Sequence, residues 1–402
     1  MSPEGTAKGV TAPKGFRAGG IACGIKKSGA LDLALLVSDL PASAAGTFTR
    51  NRFRASCVDH SERVARRGRA RAVVANSGNA NAATGKQGKR DTAEMARRTA
   101  AALRVPAGDV LVASTGVIGV PLPMAAVLDG IEELAARLGA AGGRRAARAI
   151  MTTDSVAKEA AVRKRIGGAT VAVGGMAKGS GMIHPDMATM LAFITTDAHV
   201  PAPALRKVLR GAVDDSFNAI TVDGETSTND MVLCLANGAA GGAAVLAGRD
   251  LDVFSGMLGD VCRDLAEKIV RDGEGASKFI RVVVTGAASV SAARRVARAV
   301  AVSPLVKTAV YGGDPNWGRI AAAAGNAGVA FRPEKVSIRV GGVPIVRRGE
   351  GLGPAAEREV ARSLRGKEIE IGVDLGAGKA RASYFTCDLT HEYITINASY
   401  RT

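Results

Sequence analysis

The chain has 402 residues, 47% of them apolar, 23% charged and only 3% aromatic, and it carries a formal charge of +17. Such a length buries a sizeable core and fits two domains, or one large α/β domain with an appendage, while the composition excludes a disordered tail, a collagen and a disulfide scaffold. No apolar run reaches the roughly 18 residues of a membrane span, and the N-terminal MSPEGTAKGVTAPKGF lacks a secretory core, so a cytoplasmic enzyme or binding protein is expected.

In chain order, the patterning predicts a strand at 31–37, a helix at 92–103, a strand at 110–113 and a helix at 123–138. Ala- and Gly-rich 140–149 is loop or a helix start and reads as a connection. Strands at 169–173 and 190–195 follow, then helices at 204–217 and 251–271. The latter is the clearest, with Phe254, Leu258, Cys262, Leu265 and Ile269 at three- and four-residue spacing ahead of a glycine stop at Gly273. A strand at 279–284, a helix at 290–302 and strands at 336–346, 368–373 and 393–397 complete the series. Strands and helices are mixed throughout without a solenoid repeat, which is an α/β or α+β pattern.

Four intervening loops are too polar and Gly-rich to be mere connectors: 76–81, 114–119, 223–229 and 311–318. Familiar site motifs fail. There is no P-loop, no G-x-S-x-G elbow, and the four histidines lack metal-ligand spacing, so no metal is expected. The five cysteines are an odd count without C-x-x-C and read as reduced, mostly buried thiols. The densest basic cluster, from Arg50 to Arg71, has only Phe53 as a nearby aromatic, which argues against a nucleic-acid platform.

The segment GGMAKGSGMIHPDMATMLAFITTDA is the informative one. A small Gly/Ser loop feeds a proline, then Ala188–Thr189, then an apolar strand. Read alone, this is either an ordinary strand start, since Thr favours strands, or the layout of a self-cleaving amidase. In the second case the Thr hydroxyl attacks the preceding carbonyl, and hydrolysis of the ester leaves Thr as a new N-terminus whose amine serves as base for its own hydroxyl.

That segment occurs in order with GVTAPKGFRAGGIACGIKKSG, NSGNANAATG, STGVIG, MTTD, DGETSTNDMV, RDGEGASKFI, YGGDPNWGRI and ITINASYRT. The set closely resembles the ornithine acetyltransferase family of arginine biosynthesis, also called bifunctional glutamate N-acetyltransferases. Asp186 departs from the Asn more usual in that family, with Thr189 and its flanks intact. The resemblance implies cleavage between Ala188 and Thr189 and makes Thr189 the nucleophile. It makes Thr115 and Gly116 the oxyanion-stabilising pair and Thr152, Lys178, Thr189, Glu274, Asn397 and Thr402 the substrate-binding positions. The charges suit the chemistry, Lys178 facing a carboxylate and Glu274 a side-chain ammonium.

The implied reaction is ping-pong transfer of acetyl from N-acetylornithine to glutamate through acyl-Thr189, without metal or organic cofactor. The resemblance leaves acetyl-CoA open as a second donor. The implied fold is a layered αββα sandwich, resembling Ntn hydrolases but distinct in topology, over 1–285, with a smaller C-terminal α/β domain over 286–402 whose tail returns to the active site. Chains 1–188 and 189–402 would assemble as a heterotetramer of two α and two β chains, with no nucleic acid or membrane partner. An autoprocessing aminopeptidase of a related layered fold is the rival reading.

Overall fold

The protein was analysed as a computed structural model that describes residues 9–184 and 190–399. Its described residues divide into two compact units: those up to Asn218 with Glu225–Ile269, and Ala219–Gly224 with those from Val270 to Ser399.

The first unit runs β1 (Phe16–Ile21), β2 (Leu33–Phe48), α1 (Ser56–Arg66), β3 (Arg69–Asn79), α2 (Gly85–Leu103), β4 (Val110–Val117), α3 (Met124–Ala135), α4 (Gly143–Ala149), β5 (Lys158–Ile166), β6 (Ala169–Lys178), β7 (Leu191–Thr196), α5 (Ala202–Asp214) and β8 (Met231–Ala236). It ends in α6 (Gly248–Arg271), on which all five residues of the expected apolar stripe are buried. Its sheet has the order β4-β3-β2-β8-β7-β6-β5, with β1 added to β2. Two pairs are parallel, β3/β4 and β7/β8, and each is joined by a helical crossover, α2 and α5, as parallel strands require. Long β2 serves two stretches of the sheet: it pairs with β1 and β3, shifts register between Val37 and Ala42, and then pairs with β8. Every residue of β7 and β8 is buried, so these strands are apolar throughout rather than alternating.

The second unit runs β9 (Phe279–Ala287), α7 (Val290–Val302), α8 (Pro304–Gly312), α9 (Trp317–Gly325), β10 (Ser337–Val340), β11 (Val343–Arg347), β12 (Glu350–Gly351), α10 (Pro354–Ser363), β13 (Glu368–Asp374), β14 (Ala380–Cys387) and α11 (His391–Ser399). Its sheet order is β12-β11-β10-β13-β9-β14, and α7 packs on β9 and β14. The contact division falls at Val270, ahead of the expected boundary at 285/286, because β9 pairs with β13 and β14.

The mixed α/β class expected from sequence is what the chain adopts, and several elements differ in detail. The expected strand at 393–397 is helix α11: the Thr390 hydroxyl accepts the Tyr393 N–H at 3.4 Å as an N-cap does, and donates to Gly275 O at 2.7 Å. The expected strand at 336–346 is a hairpin, turned at Gly341 and Gly342 with φ of +58° and +82°. The stretch 140–149, loop or helix start by sequence, takes the helical alternative in α4, whose Ala146, Ala147 and Ala149 are buried. Strands β3 and β4 extend through Asn79 and Val117 into what reads as loop.

Helix α4 approaches β1 so closely that a Cβ on Gly20 would lie 2.4 Å from Arg145 O and 2.7 Å from Ala149 Cβ. Gly20→Ala is expected to destabilise the protein by about 1–3 kcal/mol, the usual range for overpacking. A urea titration checks this; an unchanged midpoint would mean that α4 retreats freely.

Candidate active site

The ends of β3 and β4 meet in parallel register, Ser77 opposite Thr115 and Gly78 opposite Gly116. Gly116 has φ of +134°, and a Cβ there would sit 2.3 Å from the Gly78 carbonyl carbon and 2.4 Å from the Asn79 nitrogen. Only glycine lets the two backbones come this near. The NSGNAN loop then grips the end of β4. Ala80 N–H donates to Val117 O at 2.9 Å, and Asn79 Nδ2 donates to Val120 O at 3.0 Å and Pro121 O at 3.2 Å. Asn81 Nδ2 donates to Gly88 O at 3.0 Å and so fastens the loop to α2. Thr115, 8% exposed, is therefore held on a backbone that has little freedom to move.

A second cluster surrounds Asp154. Its Oδ1 accepts Lys158 Nζ and the Gly179 N–H, each at 2.7 Å. Its Oδ2 accepts the Thr152 N–H at 3.0 Å and lies 4.0 Å from Lys178 Nζ. Burial alone would raise the Asp154 pKa, but Lys178 and Lys158 outweigh it and hold the carboxyl at about 2. Lys26 Nζ donates to Leu31 O at 2.8 Å and Met151 O at 2.7 Å, the latter next to Thr152. Burial lowers the Lys26 pKa, against the pull of Asp32 and Asp154, and Lys178 adds to the lowering. The carboxylate of Asp32 collects the N–H groups of Cys23, Gly24, Ile25 and Lys26. Lys26, Lys158 and Lys178 thus gather around Asp154, a basic setting that suits a substrate carboxylate.

Apart from Thr115 and Gly116, the expected residues fall into three groups. Thr152 and Lys178 come together around Asp154 in the first unit. Glu274, 9% exposed, and Asn397 come together in the second, where Asn397 Nδ2 donates to Glu274 Oε2 at 2.9 Å. Ala188, Thr189 and Thr402 lie outside the described residues, as does Asp186. Lys26, Asp154, Lys158, Asn229 and Asp230 were not picked out from sequence, although Asp154 closes MTTD and Asn229 and Asp230 sit in DGETSTNDMV. For Asp230 the available signal was a polar residue immediately before an apolar strand.

The ArgJ family model matches residues 17–402. The arginine biosynthesis bifunctional protein ArgJ of Symbiobacterium thermophilum is 54% identical over 404 residues, which cover 99% of this chain and 100% of that protein. Its namesake from Gloeobacter violaceus is 50% identical over 399 residues, covering 98% of each. A crystal structure of arginine biosynthesis bifunctional protein ArgJ from Bacillus halodurans is similar at 41% identity with a TM-score of 0.50, covering 51% of this chain and 97% of that one.

Because the folded state holds the Asp154 pKa below its ordinary 3.8, the ion pair stabilises the fold above that range and loses its effect as pH falls toward about 2. This contribution amounts to roughly 2 kcal/mol. Asp154→Asn leaves Lys158 and Lys178 buried without their anion and is expected to lose about 3–5 kcal/mol at neutral pH. Urea midpoints from pH 7 down to pH 2 test both points: the wild type should weaken on acidification, and the variant should weaken less steeply.

Proposed function

The chain belongs to the ArgJ family, and from that premise we propose that it is an acetyltransferase of arginine biosynthesis that moves acetyl from N-acetylornithine to glutamate through Thr189. The observation that carries this reading is the immobilised Thr115–Gly116 backbone at the paired ends of β3 and β4, beside which an oxyanion would be stabilised. The buried lysine cluster around Asp154 supports it, because a free amino acid brings the carboxylate that such a cluster attracts, whereas an internal peptide residue does not. That preference also counts against the aminopeptidase reading.

In the proposed sequence the chain first cuts itself between Ala188 and Thr189. An N-to-O acyl shift and hydrolysis free the Thr189 α-amine. This amine takes the proton from Thr189 Oγ as the hydroxyl adds to the acetyl carbonyl, and the oxyanion rests against Thr115 and Gly116. The C–N bond of N-acetylornithine then breaks, the proton passes to the leaving amine, and ornithine departs. The glutamate amine attacks the acyl-threonine and restores the hydroxyl. Lys178 faces the substrate carboxylate and Glu274 the side-chain ammonium, with Thr152, Asn397 and Thr402 completing recognition. No step on this route calls for a bound cofactor. The word bifunctional in the relatives' names supports extending the reading to acetyl-CoA as a second donor. We further read the processed protein as a cytoplasmic heterotetramer of two α and two β chains. The solved chain from B. halodurans spans about half of this one, as a product of a single mid-chain cut would.

Intact-mass and N-terminal analysis of purified protein should find two chains, the larger beginning Thr-Met-Leu-Ala-Phe, and Thr189→Ala should stay uncut and inactive. In processed Thr115→Ala, kcat should fall by about 10²–10³, the usual loss for one oxyanion donor. An active, uncut wild-type chain would overturn the Thr189 mechanism, and normal turnover in Thr115→Ala would move the oxyanion site elsewhere.

A further inference from the structure

The acetyl-transfer scheme leaves unused two consecutive buried residues just ahead of β8. Asn229 and Asp230 are 4% and 1% exposed, yet each holds a different part of the first unit. Asn229 Nδ2 donates to Ala80 O at 2.6 Å and to Ser114 O at 2.8 Å. Ser114 immediately precedes Thr115, and Ala80 is the residue whose N–H closes on Val117 O. The Asn229 oxygen accepts the Thr228 hydroxyl, which fixes the orientation of the amide. Asp230 Oδ1 accepts the Met190 N–H at 2.9 Å, and that N–H belongs to the peptide bond linking Thr189 to Met190. The bond is doubled on the other strand, where Met231 N–H donates to Met190 O at 3.1 Å. The loop itself is pinned from β2 and beyond: Thr49 N–H donates to Asp230 O at 3.0 Å, and Ala55 N–H to Thr228 O at 2.9 Å.

One rigid dipeptide therefore grips the strand that leads into Thr115–Gly116 with its first side chain and the backbone that follows Thr189 with its second. We propose that Asn229–Asp230 is a positioning brace that sets the spacing between the Thr115–Gly116 pair and Thr189, both for chain cleavage and for acetyl transfer. This rests on the reading of Thr189 as the nucleophile.

The physical case is one of tolerance. An attack geometry misplaced by about 1 Å loses on the order of 10²-fold in rate. A buried amide whose N–H groups are taken by two carbonyls cannot shift without leaving a polar group unpaired, so it transmits position faithfully. Asp230 acts through an acceptor oxygen. Burial pushes the Asp230 carboxyl well above the usual range, against the Met190 and Ser227 N–H groups, the Lys178 charge and the Ser227 hydroxyl. The Met190 contact needs only an acceptor at the place of Oδ1, which an amide of the same shape supplies.

The test compares wild type with Asn229→Asp, Asp230→Ala and Asp230→Asn, reading precursor cleavage by mass spectrometry, steady-state transfer from N-acetylornithine to glutamate, and thermal midpoint. Asn229→Asp turns a donor into an acceptor facing two carbonyls, and Asp230→Ala removes the Met190 acceptor. Each should slow cleavage and lower kcat by about 10²-fold while KM stays within about threefold. Asp230→Asn should restore kcat to within about fivefold of wild type, which a purely electrostatic role would not allow. Should Asn229→Asp fail to fold, Asn229→Ser removes the second donor with a smaller perturbation and is expected to show the same kcat loss. Should Asp230→Ala fail to fold, the Asn229 variant and Asp230→Asn decide. Wild-type kcat in the Asn229 variant, a loss carried by KM, or a loss in Asp230→Asn as deep as in Asp230→Ala overturns the brace. A wild-type protein that transfers acetyl without a Thr189 terminus overturns the nucleophile instead, and leaves a distinct signature because it fails before any variant is compared.

Discussion

The carboxylate of Asp154 is the constraint on which the polar interior of the first unit depends. The Lys158 ammonium is wholly buried beside Asp154, and desolvating a charge without such a partner costs several kcal/mol. Asp154 supplies the anion, and its remaining lone pairs order the backbone at Thr152 and Gly179. One side chain thus ties together the turn before β5, the first residue of β5, the end of β6 and the start of the Gly/Ser segment. Lys178 gains its fixed position from this arrangement rather than from β6 alone. Lys26 extends the same network by binding Met151 O, and Asp32 holds the strap around Lys26 through four backbone N–H groups.

Elements with strong periodicity were legible in the sequence. The α6 stripe and the Val290–Val302 helix stand where the apolar spacing puts them, since a stripe that repeats for several turns has one face to bury. Short segments were less legible because two physical signals compete in them. In ITINAS the period of two was read as a strand, while the capping hydroxyl of Thr390 and the contact with Gly275 decide for a helix. In 336–346 the apolar run hides a Gly-Gly turn. The site divides along the same line. Thr115, Gly116 and Lys178 stand in motifs whose order along the chain resembles a known family. Asn229 and Asp230, and Asp154 through Gly179 and Lys178, act on partners tens to more than a hundred residues away, and no local pattern reports such pairings.

The site also shows how unequal loops divide a task. The NSGNAN segment is rich in short polar side chains that bond to nearby backbone, so it makes its own shape. The 223–230 loop is held in addition by distant residues, Thr49, Ala55 and Met190.

The strand order of the first sheet would give the proposed cleavage a topological meaning. A cut at 188/189 would assign β1 to β6 to one product and β7 and β8 to the other, and in space these last two lie interleaved between β2 and β6. Two complete antiparallel ladders, β2 with β8 and β6 with β7, would then become intermolecular. Separating such products would mean drawing a pair of wholly buried strands out from between two neighbours, so the nick would leave a kinetically locked pair of fragments. Folding would have to precede cutting, because halves made apart would face a bimolecular insertion into a preformed slot that a single chain fills within one molecule.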